Sequence, residues 1–370
     1  MKQGKPLLQT IFLQAKSLTA IPKTVLVAAV LAGALPAAAQ NIGGIQQAKQ
    51  PLTLQDRGSF YVGGEQVEQN AAELGRMGPA DRITVNQMYV EYMVPDGHTA
   101  APVVMVHGAG LSGKTYDTTP DGRMGWYEYF VRQGHPTYVV DQAGRARSGF
   151  NQAGLNTQTP DQKAALPRKA WRFGDRYGVW TNFRFGPSPG QAFEDTQFPV
   201  EAIDELAKQS IPDMTSWVPT PNPTFAALAE LGGKLEGAVI VSHSQSGHFP
   251  MEAALINSKG IRAIVAVEPG TCRGEDYTDA QIRQLAGIPT LIIYGDHLES
   301  PTQFTQTTWQ DRFDNCKVYT DRIKAAGGKV RLMQTTELGV RGNTHMIMQD
   351  RNHIQIADFI LKWIGENVEP

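Results

Sequence analysis

Short apolar runs rich in β-branched residues recur along the chain, separated by polar or glycine-rich stretches, and runs of this kind predict buried strands. After two early strands at 59–62 and 83–94, they fall at 103–106, 138–140, 237–241, 261–267, 289–294 and 330–334. Apolar residues at helical spacing predict helices at 126–132, 200–210, 224–231, 250–256, 278–285, within 305–326 and at 354–364. Strands alternating with helices predict an α/β fold, with a mostly parallel central sheet and helices on both faces.

Residues 150–199 interrupt this alternation. The segment has no strand pattern, is rich in Gly, Pro and Gln, and contains the aromatic residues Trp171, Phe173, Tyr177, Trp180, Phe183 and Phe185. A long irregular insertion in a compact domain is typically functional, so we expect a lid. Trp171 and Trp180 are our candidates for substrate contact. The alternative is that these aromatic residues only give the insertion a small core of its own.

Residues 1–39 form a separate segment with four lysines and no acidic residue. An apolar run of 11 residues, Val25 to Leu35, precedes the A-x-A pattern Ala37-Ala38-Ala39. This predicts a secretory signal peptide cleaved after Ala39, and a mature protein in the periplasm or outside the cell. An uncleaved anchor is the alternative, although the run is shorter than the ~20 residues that span a bilayer. Residues 40–370 then form one domain, without stable membrane insertion.

Charge and cysteine content narrow the class of protein. Removal of the leader takes away four of the 34 Lys and Arg residues, which leaves 30 against 36 Asp and Glu. No basic stripe or nucleic-acid motif is present, so nucleic acid is not an expected partner. Cys272 and Cys316 are the two cysteines of the chain. An oxidising destination allows them to form a disulfide, and two buried free thiols are the alternative.

Ser244 lies where a strand meets a helix, in the sequence Ser242-His243-Ser244-Gln245-Ser246-Gly247. A serine between small residues at such a junction is typical of the nucleophile elbow, a sharp turn that lifts the hydroxyl out of the sheet. The common form has glycines where this chain has Ser242 and Ser246. We therefore predict Ser244 as a catalytic nucleophile.

A serine hydroxyl needs a base to become nucleophilic. His345 follows the last predicted strand and precedes the terminal helix, so it is our candidate base. His353 is the rival, but its place at a helix start favours a capping or surface role. His243 is adjacent to the serine, and adjacent side chains at an elbow point away from each other.

The base needs a carboxylate that holds its tautomer, and the expected chain order places this acid between Ser244 and His345. Glu268 ends the strand after the elbow unit, whereas Asp296 and Glu299 follow the next strand. Both positions lie at the carboxyl edge of the sheet, where open α/β sites form. The residues alone do not distinguish which of the three carboxylates is the acid.

Two backbone N–H groups usually stabilise the oxyanion of acyl transfer. We expect them from Gln245, the residue after the nucleophile, and from Ala109 in the loop His107-Gly108-Ala109-Gly110. Residues 108–115 also match the phosphate-loop pattern G-x-x-x-x-G-K-[ST]. That motif requires a helix at its Lys-Thr, and turn chemistry follows here instead, so we do not expect a nucleotide site. No zinc-ligand spacing or dinucleotide fingerprint is present, and we expect no metal or cofactor.

The elbow, the His-Gly loop and the terminal histidine together resemble an α/β-hydrolase. More narrowly, Ser-His-Ser-Gln-Ser-Gly at 242–247 and Val-Glu-Pro-Gly at 267–270 resemble a group of secreted bacterial esterases. That resemblance implies Ser244 as nucleophile, His345 as base and Glu268 as acid. Members of the group carry two adjacent cysteines after the His-Gly, where this chain has Ala109-Gly110, so that feature is not carried over.

The number of residues after the predicted strand 289–294 supports Glu268, rather than Asp296 or Glu299, as the acid. Many hydrolases of this fold place the acid three residues after the glycine that ends the strand. Counted from Gly295, that position is Leu298, which cannot accept the imidazole N–H. The expected activity is hydrolysis of a small carboxylic ester through an acyl-enzyme. Lactones, thioesters and activated amides are alternative substrates, and a non-catalytic secreted binding protein is the alternative of a different class.

Overall fold

The computed structural model describes residues 50–97, 100–159, 170–174, 177–302 and 307–369. The strands in these ranges are β1 (Leu54–Gln69), β2 (Asp81–Pro95), β3 (Val103–Val106), β4 (Thr137–Asp141), β5 (Ala238–His243), β6 (Ile261–Val267), β7 (Thr290–Tyr294) and β8 (Val330–Gln334). The α-helices are Ala71–Leu74, Trp126–Arg132, Ala153–Asn156, Tyr177–Trp180, Ile203–Gln209, Pro223–Lys234, Phe249–Ile256, Asp279–Leu285, Trp309–Ala325 and His353–Asn367. The predicted signal peptide, residues 1–39, lies outside the described residues.

The strands form one sheet in the order β1-β2-β4-β3-β5-β6-β7-β8. β2 pairs antiparallel with both β1 and β4, whereas every pairing from β4 to β8 is parallel. The predicted fold class, a mostly parallel sheet within an α/β fold, is confirmed. The parallel strands β3 to β7 coincide with predicted apolar runs because a strand covered on both faces has no polar side.

Alternate residues of each central strand supply two separate hydrophobic cores. Met105 of β3 and Val241 of β5 pack on one face, with the helices Trp126–Arg132 and His353–Asn367. Val104 and Ile240 pack on the other face, with the helices Pro223–Lys234, Phe249–Ile256, Asp279–Leu285 and Trp309–Ala325. This alternation follows from the two-residue period of a strand. Helices therefore cover both faces, as the sequence predicts.

The described part of the 150–199 insertion packs against the first of these cores. Phe173, Trp180, Phe183 and Phe185 are buried in the same cluster as Met105. The ring of Phe185 stacks on Phe198 at 3.9 Å, and Trp180 contacts Phe185 edge-on. These aromatic residues thus extend the core of the domain, and the alternative of a small core confined to the insertion is wrong.

The carboxyl ends of the parallel strands meet at one edge of the sheet. β5 ends at His243 and β6 at Val267, directly before Ser244 and Glu268. His345 lies in the connection between β8 and the terminal helix. Parallel strands bring their following loops to the same edge, so three residues far apart in sequence can converge. Within the part of the chain that the structure describes, no helix is long and apolar enough to cross a membrane.

A disulfide joins Cys272, in the loop after β6, to Cys316 of the helix Trp309–Ala325. Their Cα atoms are 4.9 Å apart, the sequence separation is 44 residues, and both cysteines are fully buried. The bond joins the loop that follows Glu268 to the helix that begins at Trp309.

We expect the Cys272→Ala/Cys316→Ala double variant to lose about 4 kcal/mol of unfolding free energy, because an open loop of this length has more conformational entropy when unfolded. Denaturant titration with and without reductant measures the change. Reductant should destabilise the wild-type protein and leave the double variant unaffected. Thiol labelling of both cysteines in unreduced, denatured protein would contradict the bond.

Candidate active site

Ser244 lies at a strained turn between β5 and the helix Phe249–Ile256. A 3-10 turn, Ser244–His248, connects the two elements. The φ angle of Ser244 is 56°, in the left-handed region that residues with a side chain rarely adopt. Strain of this kind persists only where the surrounding structure stabilises it, and it is found at functional sites. The local geometry is therefore that of the elbow predicted from the sequence.

The small residues around Ser244 are required by close backbone contacts. A Cβ atom on Gly247 would lie 2.3 Å from Pro269, and one on Gly108 would lie 2.8 Å from Ser244 Cβ. Ser246 fits where the common motif has glycine because its hydroxyl is 3.0 Å from the carbonyl oxygens of Val106 and His243. Its oxygen also accepts the backbone N–H of His243 at 3.0 Å.

The structure brings Ser244, His345 and Glu268 into one chain of hydrogen bonds. The distance from Ser244 Oγ to His345 Nε2 is 2.9 Å, and His345 Nδ1 lies 3.0 Å from Glu268 Oε2. Because an ionised carboxylate can only accept, the proton of the neutral imidazole lies on Nδ1. Nε2 is then free to accept the serine proton.

Hydrogen bonds to three residues, Phe183, His243 and Asp350, hold the loop that carries His345. Its backbone N–H donates to Phe183 O at 2.9 Å, and its carbonyl oxygen lies 2.9 Å from His243 Nε2. The buried Asp350 carboxylate accepts the backbone N–H of Thr344 at 2.8 Å and its hydroxyl at 2.7 Å. His243, which the sequence excluded as the base, thus contacts the backbone of the candidate base instead. The sequence analysis missed Asp350, since nothing in its spacing distinguishes it.

Glu268 is fully buried, and its carboxylate is hydrogen-bonded to Arg184, to His345 and to a backbone N–H. Its Oε1 accepts Nη2 of Arg184 at 2.6 Å and also the backbone N–H of Gly295. Burial alone would raise the pKa of Glu268, but the charge of Arg184 and the hydrogen bond from His345 outweigh it and lower the pKa to about 2. The carboxylate is therefore ionised at neutral pH.

Arg184 comes from the 150–199 insertion, and the sequence analysis did not identify it. Its guanidinium is fully buried, its Nε donates to Asp296 O at 2.7 Å, and it lies 5.1 Å from the ring centre of Trp309. The backbone of Arg184 has a φ angle of 59°. No motif marks this arginine, because its partner Glu268 is 84 residues away in sequence.

His345 is uncharged at neutral pH. Burial lowers its pKa to about 4, against the raising effect of Glu268, while Arg184 and Arg312 lower it further. Only the neutral imidazole can take the serine proton.

The two rival acids do not contact His345. Asp296 accepts the backbone N–H groups of His297 at 2.8 Å and of Gly342 at 3.2 Å, and Glu299 is exposed. Leu298, at the position that often holds the acid, is buried. The rival base His353 is also buried, which corrects the expectation of a surface or capping role. Its ring packs inside because it begins the helix that covers one face of the sheet.

The two expected oxyanion donors, Ala109 and Gln245, both line the cavity beside Ser244. Gln245 is the second residue of a 3-10 turn, where a backbone N–H has no partner within the helix. The loop of Ala109 is anchored by Asp213, whose carboxylate accepts the N–H of Gly110 at 3.1 Å. The Gly113–Tyr116 segment forms a 3-10 turn, not the α-helix that a phosphate loop requires.

A buried ion pair connects the two expected donors. Arg145 Nη2 donates to Asp213 at 2.9 Å, and its Nη1 donates to the side chain of Gln245 at 2.8 Å. Neither Arg145 nor Asp213 is exposed to solvent. The pair thereby ties the Ala109 loop to the residue after Ser244. Sequence reasoning missed it, since its members come from loops far apart in the chain.

A cavity of about 300 Å³ opens above Ser244. Its apolar lining consists largely of Leu111, Trp171, Phe173, Phe183 and Trp309. Trp171 lies where we expected substrate contact. Trp180 does not line this cavity, so that expectation is corrected. Its ring fills the hydrophobic core because it packs against Phe185.

Asp195, Asp296 and His297 form a group that could hold a metal ion, with ligand atoms within 4.8 Å of one another. His297 Nε2 already lies 2.8 Å from Asp195, and its ring stacks on Phe193 at 3.9 Å. The three residues do not line the cavity of Ser244. The hydrogen bond and the stacked ring account for their arrangement without an ion.

No protein-family model matches the chain. A curated relative, named "Probable secreted lipase phiG" from a fungal species (strain ATCC 74256), is 24% identical over 325 residues, which cover 75% of this chain and 85% of the relative. A solved structure, described as a novel bacterial esterase at atomic resolution, is 44% identical with a TM-score of 0.78.

The likeness to the bacterial esterase covers 87% of this chain and 99% of that one. Identity of this level over almost the whole length of both proteins reflects a shared fold and common descent. The resemblance to α/β-hydrolases drawn from the sequence is confirmed. The chain belongs to the α/β-hydrolase superfamily, in the same family as this bacterial esterase.

Proposed function

We propose that this protein is a serine esterase that cleaves small carboxylic esters through an acyl-enzyme. The observation that carries the proposal is the hydrogen-bonded chain Ser244–His345–Glu268, with distances of 2.9 and 3.0 Å, beside a cavity lined largely by apolar side chains. The esterase and lipase among its relatives support the same class of reaction.

In the first half of the reaction, Ser244 Oγ attacks the ester carbonyl while His345 Nε2 takes its proton. The backbone N–H groups of Ala109 and Gln245 stabilise the oxyanion that forms. His345 then protonates the departing alcohol. In the second half, the same histidine removes a proton from water, which attacks the acyl group and releases the acid. Glu268 orients the imidazole and stabilises the imidazolium without taking the proton.

The 150–199 insertion acts as a lid in this proposal. Trp171, Phe173 and Phe183 from its described part line the cavity, and Arg184 contacts the triad carboxylate. Residues on a segment that covers the nucleophile contact the acyl or alcohol group of the substrate. The insertion therefore sets substrate preference and also helps to hold the catalytic acid.

Export of the protein is the proposed route to its site of action. The leader at residues 1–39, cleaved after Ala39, directs it to the periplasm or the medium. The name of the secreted lipase relative supports this route, and so does the Cys272–Cys316 disulfide, since such bonds persist in oxidising compartments.

The first test uses p-nitrophenyl butyrate and the Ser244→Ala variant. We expect kcat to fall at least about 1,000-fold, because the acyl-enzyme cannot form without the hydroxyl. Ser258→Ala, at an exposed serine, is the matched control and should retain wild-type turnover. A fluorophosphonate should label the wild-type protein once, at Ser244. Equal turnover by the wild-type protein and Ser244→Ala would contradict the proposal.

The second test assigns the acid. Glu268→Gln preserves shape but removes the charge, so kcat should fall by up to about 10⁴-fold. Asp296→Asn, the control at the rival position, should cost far less. Because Glu268→Gln leaves the buried Arg184 without a counter-charge, Glu268→Asp and thermal melting of each variant separate lost chemistry from lost folding. If Asp296→Asn lowers kcat by orders of magnitude and Glu268→Gln lowers it only slightly, Glu268 is not the acid.

The third test concerns the lid. Trp171→Ala should change the ranking of kcat/KM across p-nitrophenyl esters of two to eight acyl carbons, because it enlarges the cavity. Trp180→Ala is the matched control: it should lower the unfolding free energy by about 3–5 kcal/mol and leave the ranking unchanged. An unchanged ranking in Trp171→Ala would mean that the insertion contributes packing only.

A further inference from the structure

The cavity above Ser244 carries a positive charge that forms no ion pair with a carboxylate of the described residues. Among its described lining residues, Arg312 is the one that is charged at neutral pH. Burial lowers the pKa of His345 and of His248 to about 4 each, and it lowers the pKa of His243 as well. The described lining residues include no Asp or Glu. The space that receives the substrate is thus apolar, with a single cation on its wall.

Arg312 differs in this respect from the other two arginines near the site. Arg184 pairs with Glu268 and Arg145 pairs with Asp213, at 2.6 and 2.9 Å. Within the described residues, no carboxylate lies within 4.0 Å of the Arg312 guanidinium. Its contacts are a hydrogen bond from Nη1 to Gly270 O at 2.8 Å and the face of Trp309 at 5.0 Å. A guanidinium has five N–H donors, so most of those on Arg312 have no acceptor among the described residues.

Arg312 also lies close to the nucleophile. The backbone N–H of Gly270 donates to Ser244 O at 2.8 Å. A Cβ atom on Gly270 would lie 3.4 Å from Ser244 O and 3.8 Å from Arg312 Nη1. One glycine therefore separates the guanidinium from the backbone of the catalytic serine. A substrate with its carbonyl at Ser244 brings a group a few bonds further along within reach of Arg312.

Partial burial and the helix dipole both destabilise the charge of Arg312 when no ligand is bound. Arg312 is only partly exposed, and burial lowers its pKa although Tyr294 and the adjacent Asp311 act in the opposite direction. It also lies in the first turn of the helix Trp309–Ala325, where the helix dipole disfavours a cation. A partly desolvated, unpaired cation is stabilised by a bound anion, and the planar guanidinium matches a carboxylate with two parallel hydrogen bonds.

We propose that the preferred substrates are esters that carry a free carboxylate, such as monoesters of short dicarboxylic acids, and that Arg312 binds this carboxylate. The inference rests on the proposed esterase function. The methylene chain of such a substrate packs against the aromatic wall while its carboxylate pairs with the guanidinium. If Arg312 serves only to hold the Gly270 carbonyl and to pack on Trp309, it does not distinguish charged from neutral esters.

The test compares kcat/KM for monomethyl adipate with that for methyl hexanoate, two esters with six-carbon acyl groups, by titration of the released acid. The wild-type protein should favour monomethyl adipate. Arg312→Met should lower the ratio of the two values about 10- to 100-fold, as expected for loss of a hydrogen-bonded charge partner. Arg312→Lys should restore part of the ratio.

Arg322→Met is the matched control on the same helix. Arg322 also donates to loop carbonyl oxygens, those of Gly274 and Tyr277, but it does not line the cavity. The control should keep the wild-type ratio. A second measurement needs no variant: adipate should inhibit hydrolysis of methyl hexanoate at a concentration at least about 10-fold lower than adipamide, its uncharged analogue.

The outcomes separate this inference from the proposed function. Hydrolysis of methyl hexanoate, with an unchanged ratio in Arg312→Met and equal inhibition by adipate and adipamide, overturns the carboxylate preference and leaves the esterase intact. Turnover of neither ester by the wild-type protein overturns both. If Arg312→Met fails to fold, the wild-type ratio and the inhibition by adipate decide the matter alone.

Discussion

The rest of the candidate site depends on the carboxylate of Glu268, an ionised group with no access to solvent. Transfer of such a charge from water into a protein interior costs several kcal/mol unless partners replace the lost hydration. Arg184, His345 and the backbone N–H of Gly295 are those partners. A cation from the insertion, the candidate base and the end of β7 are thus held by one side chain, and displacement of any of them would leave a buried charge uncompensated.

Two residues with strained backbones lie side by side at this site. Ser244 and Glu268 follow the neighbouring strands β5 and β6, and both have left-handed φ angles, 56° and 52°. The turns support each other, since Gly270 donates to Ser244 O and Gly247 packs against Pro269 without room for a Cβ atom. Strain at one turn is therefore stabilised by contacts with the other, and Cys272 ties the following loop to a helix.

Of the three arginines near the site, Arg184 and Arg145 form buried ion pairs, whereas Arg312 lines the cavity. The Arg184–Glu268 pair holds the base, and the Arg145–Asp213 pair holds the loop of Ala109 next to Gln245. Each pair is buried and internally neutral, so each fixes geometry with little net field on a substrate. Arg312 has no such partner among the described residues. In the proposed function, the two buried ion pairs therefore hold the reacting groups in place, and Arg312 recognises the substrate.

The sequence by itself determined the fold class and predicted Ser244 and His345 as two members of the candidate triad. Strands buried on both faces must be continuously apolar, and a strained elbow needs small neighbours, so both features are local and visible in sequence. The choice of Glu268 over Asp296 also drew on family resemblance. Only the tertiary structure decided which distant polar groups meet: Arg184 on Glu268, Asp213 under the Ala109 loop, and Asp350 behind His345. It also decided that Trp180 fills the core while Trp171 lines the cavity. The physical reason is that a buried ion pair or an aromatic contact is selected by proximity in three dimensions, which leaves no periodicity in the chain.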